Sequence, residues 1–463
     1  MSIDFNRREF LTSAGMGFGA LAANAILAGH QAKGGTAKSV ISLFMHGGPS
    51  HLDTFDPKPL LNKMNGQLVP DSFGDVRLQF STFKERPILG SNRKFNRHGD
   101  IEISDLFPNL AKHAGKLVVI RSMNHDGFTH TAALNWLNNG WPRLGRPSVG
   151  SWVVYGLGSE AKDLPAFVVM LEGGIKSGPP VYSSGFLPAT FQATTLRSSG
   201  APILYANRAE GVTGEAQRDM LDNLRWFNEK HQAARSDDTD LSARIKAYEL
   251  AFKMQMAVPE LSDLSKESAA TKAMYGMDNV TTLEFGTRCL MARRLVERGV
   301  RFVQLWSGTS TGEGDWDGHK SCEKNHEKQA AKTDKGVAGL LEDLAVRGLL
   351  DETLVIWGGE FGRTPTSDGN ANGGGDNLGR DHNPYGFSIW MAGGGIKGGK
   401  VIGATDEIGL RAIQDPVHVH DLHASVLAML GLDHEKLTFP FQGRDFRLTD
   451  VHGSTSLVAK LRA

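Results

Sequence analysis

"SVISLFMHGG", residues 39–48, is an unbroken apolar run of strand length that ends in a histidine and two glycines. A strand with one wet face alternates polar and apolar residues, whereas an unbroken run is buried on both faces, as in parallel sheets covered by helices. Similar runs follow: "KLVVIRS" at 116–122, "AFVVML" at 166–171, "RFVQLW" at 301–306 and "TLVIW" at 353–357. Helical spacings lie between them. "LEFGTRCLMARRLVERG" (283–299) stops at Gly299 as a C-cap, "EKQAAKTDKGVAGLLEDLAVRGLL" (327–350) leads into the next strand, and "VHDLHASVLAMLGL" is a further helix near the C-terminus. "FSIWMAGGGIKGGKVIGAT" reads as a late hairpin with a glycine-rich turn, and residues 215–280 as a polar helical insertion on the periphery. Helix-then-strand units imply right-handed crossovers, and so a mostly parallel sheet between two helical layers, an α/β/α sandwich.

The chain of 463 residues carries 40% hydrophobic and 22% charged residues, a normal globular balance. Lys+Arg and Asp+Glu both number 51, so no basic surplus points to nucleic acid. "NRREFLTSAGMGFGALAANAILAGHQA" (6–32) joins the Arg7–Arg8 pair to a weakly apolar, Gly/Ala-rich stretch with small-residue cleavage sites. That is the layout of a twin-arginine export signal, expected over residues 1–33, with the folded domain at 34–463. The expected location is the periplasm or cell envelope, reached through the twin-arginine translocase. The stretch is too short and too poor in Leu and Ile for a stable membrane span. Passengers on this route cross folded, which suits a cofactor loaded inside the cell. Neither the spacing nor the context of Cys289 and Cys322 argues for a disulfide, and Cys289 reads as core.

In such sheets the ligand sits beyond the carboxyl ends of the strands, so the residues that follow each run matter most. His46 follows the first, with Ser50, His51 and Asp53 close behind; His125 and His130 follow the second. "GDWDGHKS" (314–321) brings Asp315, Asp317 and His319 after "RFVQLW", and "WGGEFGRTP" (357–365) brings Glu360 and Arg363 after "TLVIW". His382 comes soon after, in "GRDHNPYGF". A carboxylate with imidazoles suits Zn²⁺, Mn²⁺ or Fe; an all-oxygen set would favour Ca²⁺ or Mg²⁺. Arg363 has the planar fork that grips phosphate or sulfate, or else it pairs with Glu360 and braces the loop. Thr129, ahead of His130, is either a plain helix N-cap or a hydroxyl nucleophile activated by a cation. "GTSTG" (308–312) matches a nucleophile elbow centred on Ser310, but it runs into a glycine- and acid-rich stretch instead of a helix.

Together the twin-arginine start, "FMHGGPSHLDTFDPKP", "DWDGH", "WGGEFGRTP" and "GRDHNPYGFS" resemble the large bacterial family termed domain of unknown function 1501, a sulfatase-like branch of the alkaline phosphatase superfamily. The resemblance spans nearly the whole chain after the signal. It implies an alkaline-phosphatase-like sandwich, a divalent metal site at the strand ends, and hydrolysis or transfer of phosphate or sulfate esters. Asp317, His319 and His382 resemble the superfamily's Asp/His pair and late His on one metal, at shorter spacing. For a second metal the superfamily uses an Asp after the first strand and an Asp-His pair after a later one. His46 and Glu360–Phe361 stand at those places here, and Phe361 cannot ligate a metal.

The sequence therefore leads to an exported hydrolase with one or two divalent ions, Zn or Mn with Ca or Mg as alternatives. Its substrate is expected to be a small anionic ester or a sulfated or phosphorylated polymer. Asp317, His319, Glu360 and His382 are the expected metal ligands, with His46 and Asp53 as further candidates. Arg363 is expected on the ester oxygens, His130 as ligand or acid/base, and Thr129 as a candidate nucleophile. The other classes left open are a catalytically silent envelope scaffold of the same fold and a serine esterase.

Overall fold

The structure, a computed structural model, describes residues 34–78, 83–197, 211–233, 239–310, 314–368 and 378–463. The expected export signal and part of the "GTSTG" stretch lie outside the described residues. The described residues form a central sheet of nine strands. They are β1 (Ser39–Met45), β2 (Leu117–Asn124), β3 (Phe167–Met170), β4 (Thr194–Leu196), β5 (Phe302–Ser307), β6 (Thr353–Gly358), β7 (Phe387–Gly393), β8 (Lys400–Ile402) and β9 (Val417–His418). Across the sheet the order is β8-β2-β7-β6-β1-β5-β3-β4, with β9 also pairing β2. All neighbours are parallel except β7, which runs antiparallel to both β2 and β6.

The apolar runs are buried on both faces, as their lack of alternation requires. Ile41, Leu43, Val303, Leu305 and Val355 pack into one core with helices Leu283–Glu297 and Cys322–Val346. Val40, Phe44, Phe302, Trp306 and Leu354 pack into another with helices His130–Asn139, Val149–Leu157 and Val419–Met429. The result is the expected three-layer α/β/α sandwich with a mostly parallel sheet. Helices Gly214–Ala233 and Thr239–Ser262 occupy the region read as an insertion. Among the described residues no helix is long and apolar enough to cross a membrane.

One reading is corrected. β7 and β8 are not a hairpin: β2 lies between them and pairs with both. Their glycine-rich connection passes the end of β2, where Gly399 N donates to Leu117 O at 2.7 Å. Adjacent apolar runs joined by glycines suggest direct pairing, but β2, more than 260 residues earlier in the chain than β7, fills the slot between them. The two cysteines are buried and free.

Register decides where the loops meet. Phe44 of β1 pairs with Trp306 of β5 and with Gly358 of β6, so these central strands end together. β2 also points its C-terminal end toward this rim: His125 N, just past it, donates to Pro384 O at 3.0 Å, beside the start of β7. Antiparallel β7 begins where its neighbours end, so residues 380–384 reach the same rim from the opposite direction.

Several further histidines are buried behind this rim. His51 donates from Nε2 to Gly409 O at 2.8 Å and His423 from Nε2 to Leu137 O at 2.8 Å. His326 Nε2 accepts from Ser50 N at 2.7 Å. Burial pushes His51 and His326 down to about 4 and His423 down to about 3. Below about pH 6.5 the unfolded chain protonates these rings while the folded chain does not, so stability is lost as pH falls from there toward 4. Each such ring contributes a slope of about 1.4 kcal/mol per pH unit within that window. Urea midpoints should therefore drop steadily between about pH 6.5 and 4.5, and less steeply in His423→Gln; a flat profile would contradict this account.

Candidate functional site

The loops after β1, β2, β3, β5 and β6, and the strand Arg380–Asn383 leading toward β7, bring one connected group of charges to the rim. Ligand atoms of His130, Asp317, His319 and His382 all lie within 4.8 Å of one another. Asp317 is the hub. Its Oδ1 lies 2.6 Å from Arg363 Nη2, 3.1 Å from His319 Nε2 and 3.3 Å from His382 Nε2. Its Oδ2 lies 3.0 Å from His130 Nε2 and 2.6 Å from Lys176 Nζ. Burial opposes a charge on Asp317, but Arg363 and the three histidines outweigh it and hold the carboxyl far below its usual range.

Each imidazole is fixed by what its outer nitrogen does. His382 donates from Nδ1 to Phe128 O at 2.9 Å, so its inner Nε2 is a bare lone pair. His319 Nδ1 meets Asp368 Oδ2 at 2.5 Å, and its Nε2 lies 2.9 Å from His382 Nε2. His130 Nδ1 meets Glu360 Oε1 at 2.8 Å. Phe361, which can hold no metal, stacks on His382 with ring centres 4.2 Å apart and lies 5.1 Å from His130, walling one side of the site.

This donor set fits a cation. With the outer protons of His319 and His382 on Asp368 and Phe128 O, two imidazole lone pairs and a carboxylate oxygen face one point. Only a proton or a positive ion can sit there without repulsion. For His319, burial works against the proton, but Asp317 and Asp368 outweigh it and raise the ring's pKa. A metal would displace that proton, the usual coupling of ion binding to ligand deprotonation. His382, buried, is held well below its ordinary value and stays neutral, as a ligand must.

The other expected residues take different positions. Glu360 is fully buried and stands one step behind the four: it receives His130 and the Gly47 N–H, at 3.0 and 3.1 Å to its two oxygens. Burial resists its ionisation, yet His130 and the surrounding cations lower its pKa. His46 is also fully buried; its Nε2 accepts from Lys176 N at 3.3 Å. Asp53 does not join the cluster. It pairs with Arg380 Nε at 3.0 Å and accepts from Ser50 and Ser91, each at 2.5 Å, so its charge is spent on bracing the "HLDT" helix. Thr129 is the N-cap residue of the helix that starts at His130, without a side-chain cap bond. Ser310 follows β5, and among the described residues the next helix starts at Cys322; residues 311 and 312 of the expected elbow lie outside the described residues.

Arg363 also departs from expectation. Its guanidinium is fully buried and donates to Gly48 O at 2.9 Å, Arg380 O at 3.2 Å, Gly47 O, and Asp317. In this structure it pairs with Asp317 and not with Glu360, and so fixes Asp317 from below. Gly47 and Gly48, at φ +104° and +79°, make room for this: a Cβ on Gly47 would lie 2.5 Å from Asp317 N, and one on Gly48 2.4 Å from Phe361 Cδ1. Lys176 and Asp368 are the participants that sequence reasoning missed. Lys176 follows the apolar run "AFVVML" in "EGGIKSGPP", so the strand-end rule applied to β3 would have found it.

Removing Arg363 takes one cation from Asp317 and leaves the carbonyls of Gly47, Gly48 and Arg380 without their buried donor. Arg363→Ala and Arg363→Lys should both lower the unfolding midpoint sharply, because a lysine cannot serve several acceptors in one plane. A variant of wild-type stability with weakened substrate binding alone would return Arg363 to the substrate.

Among solved structures, the chain is similar to the PsFucS1 sulfatase from Pseudoalteromonas sp., at 14% identity over 96% of this chain and 75% of that one, TM-score 0.39. It is similar to the alkaline phosphatase from the Antarctic bacterium TAB5, at 12% identity over 86% of this chain and 99% of that one, TM-score 0.35. The lipoteichoic acid synthase LtaP from Listeria monocytogenes is similar at 8% identity over 94% and 81%, TM-score 0.37. No curated protein matches the chain. Residues 37–459 match the family model described as "Protein of unknown function (DUF1501)", and the chain belongs to that family.

Proposed function

We propose that the chain is an exported, metal-dependent hydrolase of phosphate or sulfate esters acting in the periplasm or cell envelope. The observation that carries this reading is the convergence of His130, Asp317, His319 and His382 from separate loops on one point. Their mixed nitrogen and carboxylate donors suit Zn²⁺ or Mn²⁺, with Ca²⁺ or Mg²⁺ as alternatives. A bound divalent ion supplies Lewis acidity, drawing electron density from an ester oxygen. The chain's own groups provide the rest. Arg363 fixes Asp317, while Phe128 O and Asp368 turn the inner nitrogens of His382 and His319 toward the ion. Glu360 aligns His130, which can hold or release a proton beside Asp317. Thr129, at the head of the same helix, is the hydroxyl assigned as candidate nucleophile. The substrate would be a small anionic ester or a sulfated or phosphorylated polymer.

The burial of Arg363 favours one other reading, a catalytically silent scaffold of the envelope, because this guanidinium is not available to substrate oxygens. Elemental analysis of natively exported protein, followed by chromogenic phosphate and sulfate esters, separates the two. The hydrolase predicts a bound divalent ion and turnover, with Asp317→Ala and His382→Ala losing the ion and at least about 100-fold in rate. An ion without turnover selects the scaffold. A metal-free wild type with an active Asp317→Ala variant removes the metal reading, and loss of that activity in Ser310→Ala would restore a serine esterase. Full turnover in Thr129→Ala would transfer the nucleophile's role to water.

A further inference from the structure

Lys176 holds its ammonium where a cation site would put an ion. Its Nζ lies 2.6 Å from Asp317 Oδ2, 3.1 Å from Asp315 Oδ2 and 2.9 Å from His130 Nε2, with the side chain only 21% exposed. Two carboxylates and an imidazole nitrogen around one positive charge form a donor set that a divalent ion would also accept. One buried atom beside it, His46 Nδ1, is left without a hydrogen bond, 3.9 Å from the same Asp315 Oδ2 that faces the ammonium. The backbone N–H of Lys176 donates to the other nitrogen of the same His46, so the loop after β3 is pinned directly over this second group.

From this geometry we infer that Lys176 is a tethered substitute for a second metal ion, and that the rim binds one divalent cation per chain, held by Asp317, His319 and His382, with His130 left to Lys176 and Glu360. The inference rests on the metal reading above and decides between one ion and two. Charge supports it. The carboxylates of Asp315, Asp317, Glu360 and Asp368 face Arg363 and Lys176, leaving two negative charges among these residues. One dication balances them; a second would exceed them by two, in a buried setting where like charges repel strongly. With the ammonium removed, His46, Asp315 and the outer oxygen of Asp317 become free to take an ion. Lys176 is a positioning residue on this account, and ion count, not rate, is the property it sets.

The test is metal content by mass spectrometry after saturation with Zn²⁺ or Mn²⁺ and desalting. The wild-type chain is expected to retain one ion, Lys176→Arg one, and Lys176→Met two, with Lys176→Gln as a second neutral variant should the first not fold. Two ions in the wild type, or a single ion in folded Lys176→Met or Lys176→Gln, overturns the role of the lysine while leaving the metal site standing. No ion in any of these proteins overturns the metal reading on which the inference rests.

Discussion

The ion pair between Asp317 and Arg363 is the constraint around which the rim is arranged. A buried carboxylate is tolerated only when its charge is answered and its lone pairs are occupied. Arg363 answers the charge, and its remaining N–H groups bind carbonyls of Gly47, Gly48 and Arg380, tying together the loops after β1 and β6 and the approach to β7. Residues 47 and 48 are glycines where a Cβ would strike the backbone at Trp316–Asp317 and the ring of Phe361. One guanidinium thus ties together segments more than 300 residues apart.

Around that pair the imidazoles are organised by their outward-facing nitrogens. A carbonyl orients His382, and carboxylates orient His319 and His130, so that the inward nitrogens share a focus. Such outer partners set tautomer and ring direction as much as the donors themselves do. Phe361 adds a flat apolar wall against two of the three rings. A side chain that cannot ligate a metal serves here as a packing surface.

Much of this was legible in the sequence, because an apolar run with no alternation announces a strand covered on both sides, and the residues after it must then sit at the rim. Asp317, His319, Glu360, His382 and His130 were all visible by that logic. Direction was not. Sequence places Arg363 in the loop after β6 but says nothing about which way its long side chain turns, and it turns into the protein. Asp53 follows β1 as closely as a ligand would, yet the two serines and Arg380 that claim it come from the chain's local turn and from distant segments. Pairing was the other blind spot: β7 and β8 are near neighbours along the chain, and only tertiary packing reveals that β2 separates them.

The bond from Gly47 N–H to Glu360 closes a span of 313 residues, and that from His130 to Glu360 a span of 230. Contacts this far apart in the chain form late, after the entropy of closing very long loops has been overcome. A nascent chain that has emerged only as far as β5 owns His46, His130 and Lys176 but not Asp315, Asp317 or Glu360, which face them. The centre therefore comes into being only near the end of biosynthesis, and whatever fills it must arrive after the ribosome has nearly finished.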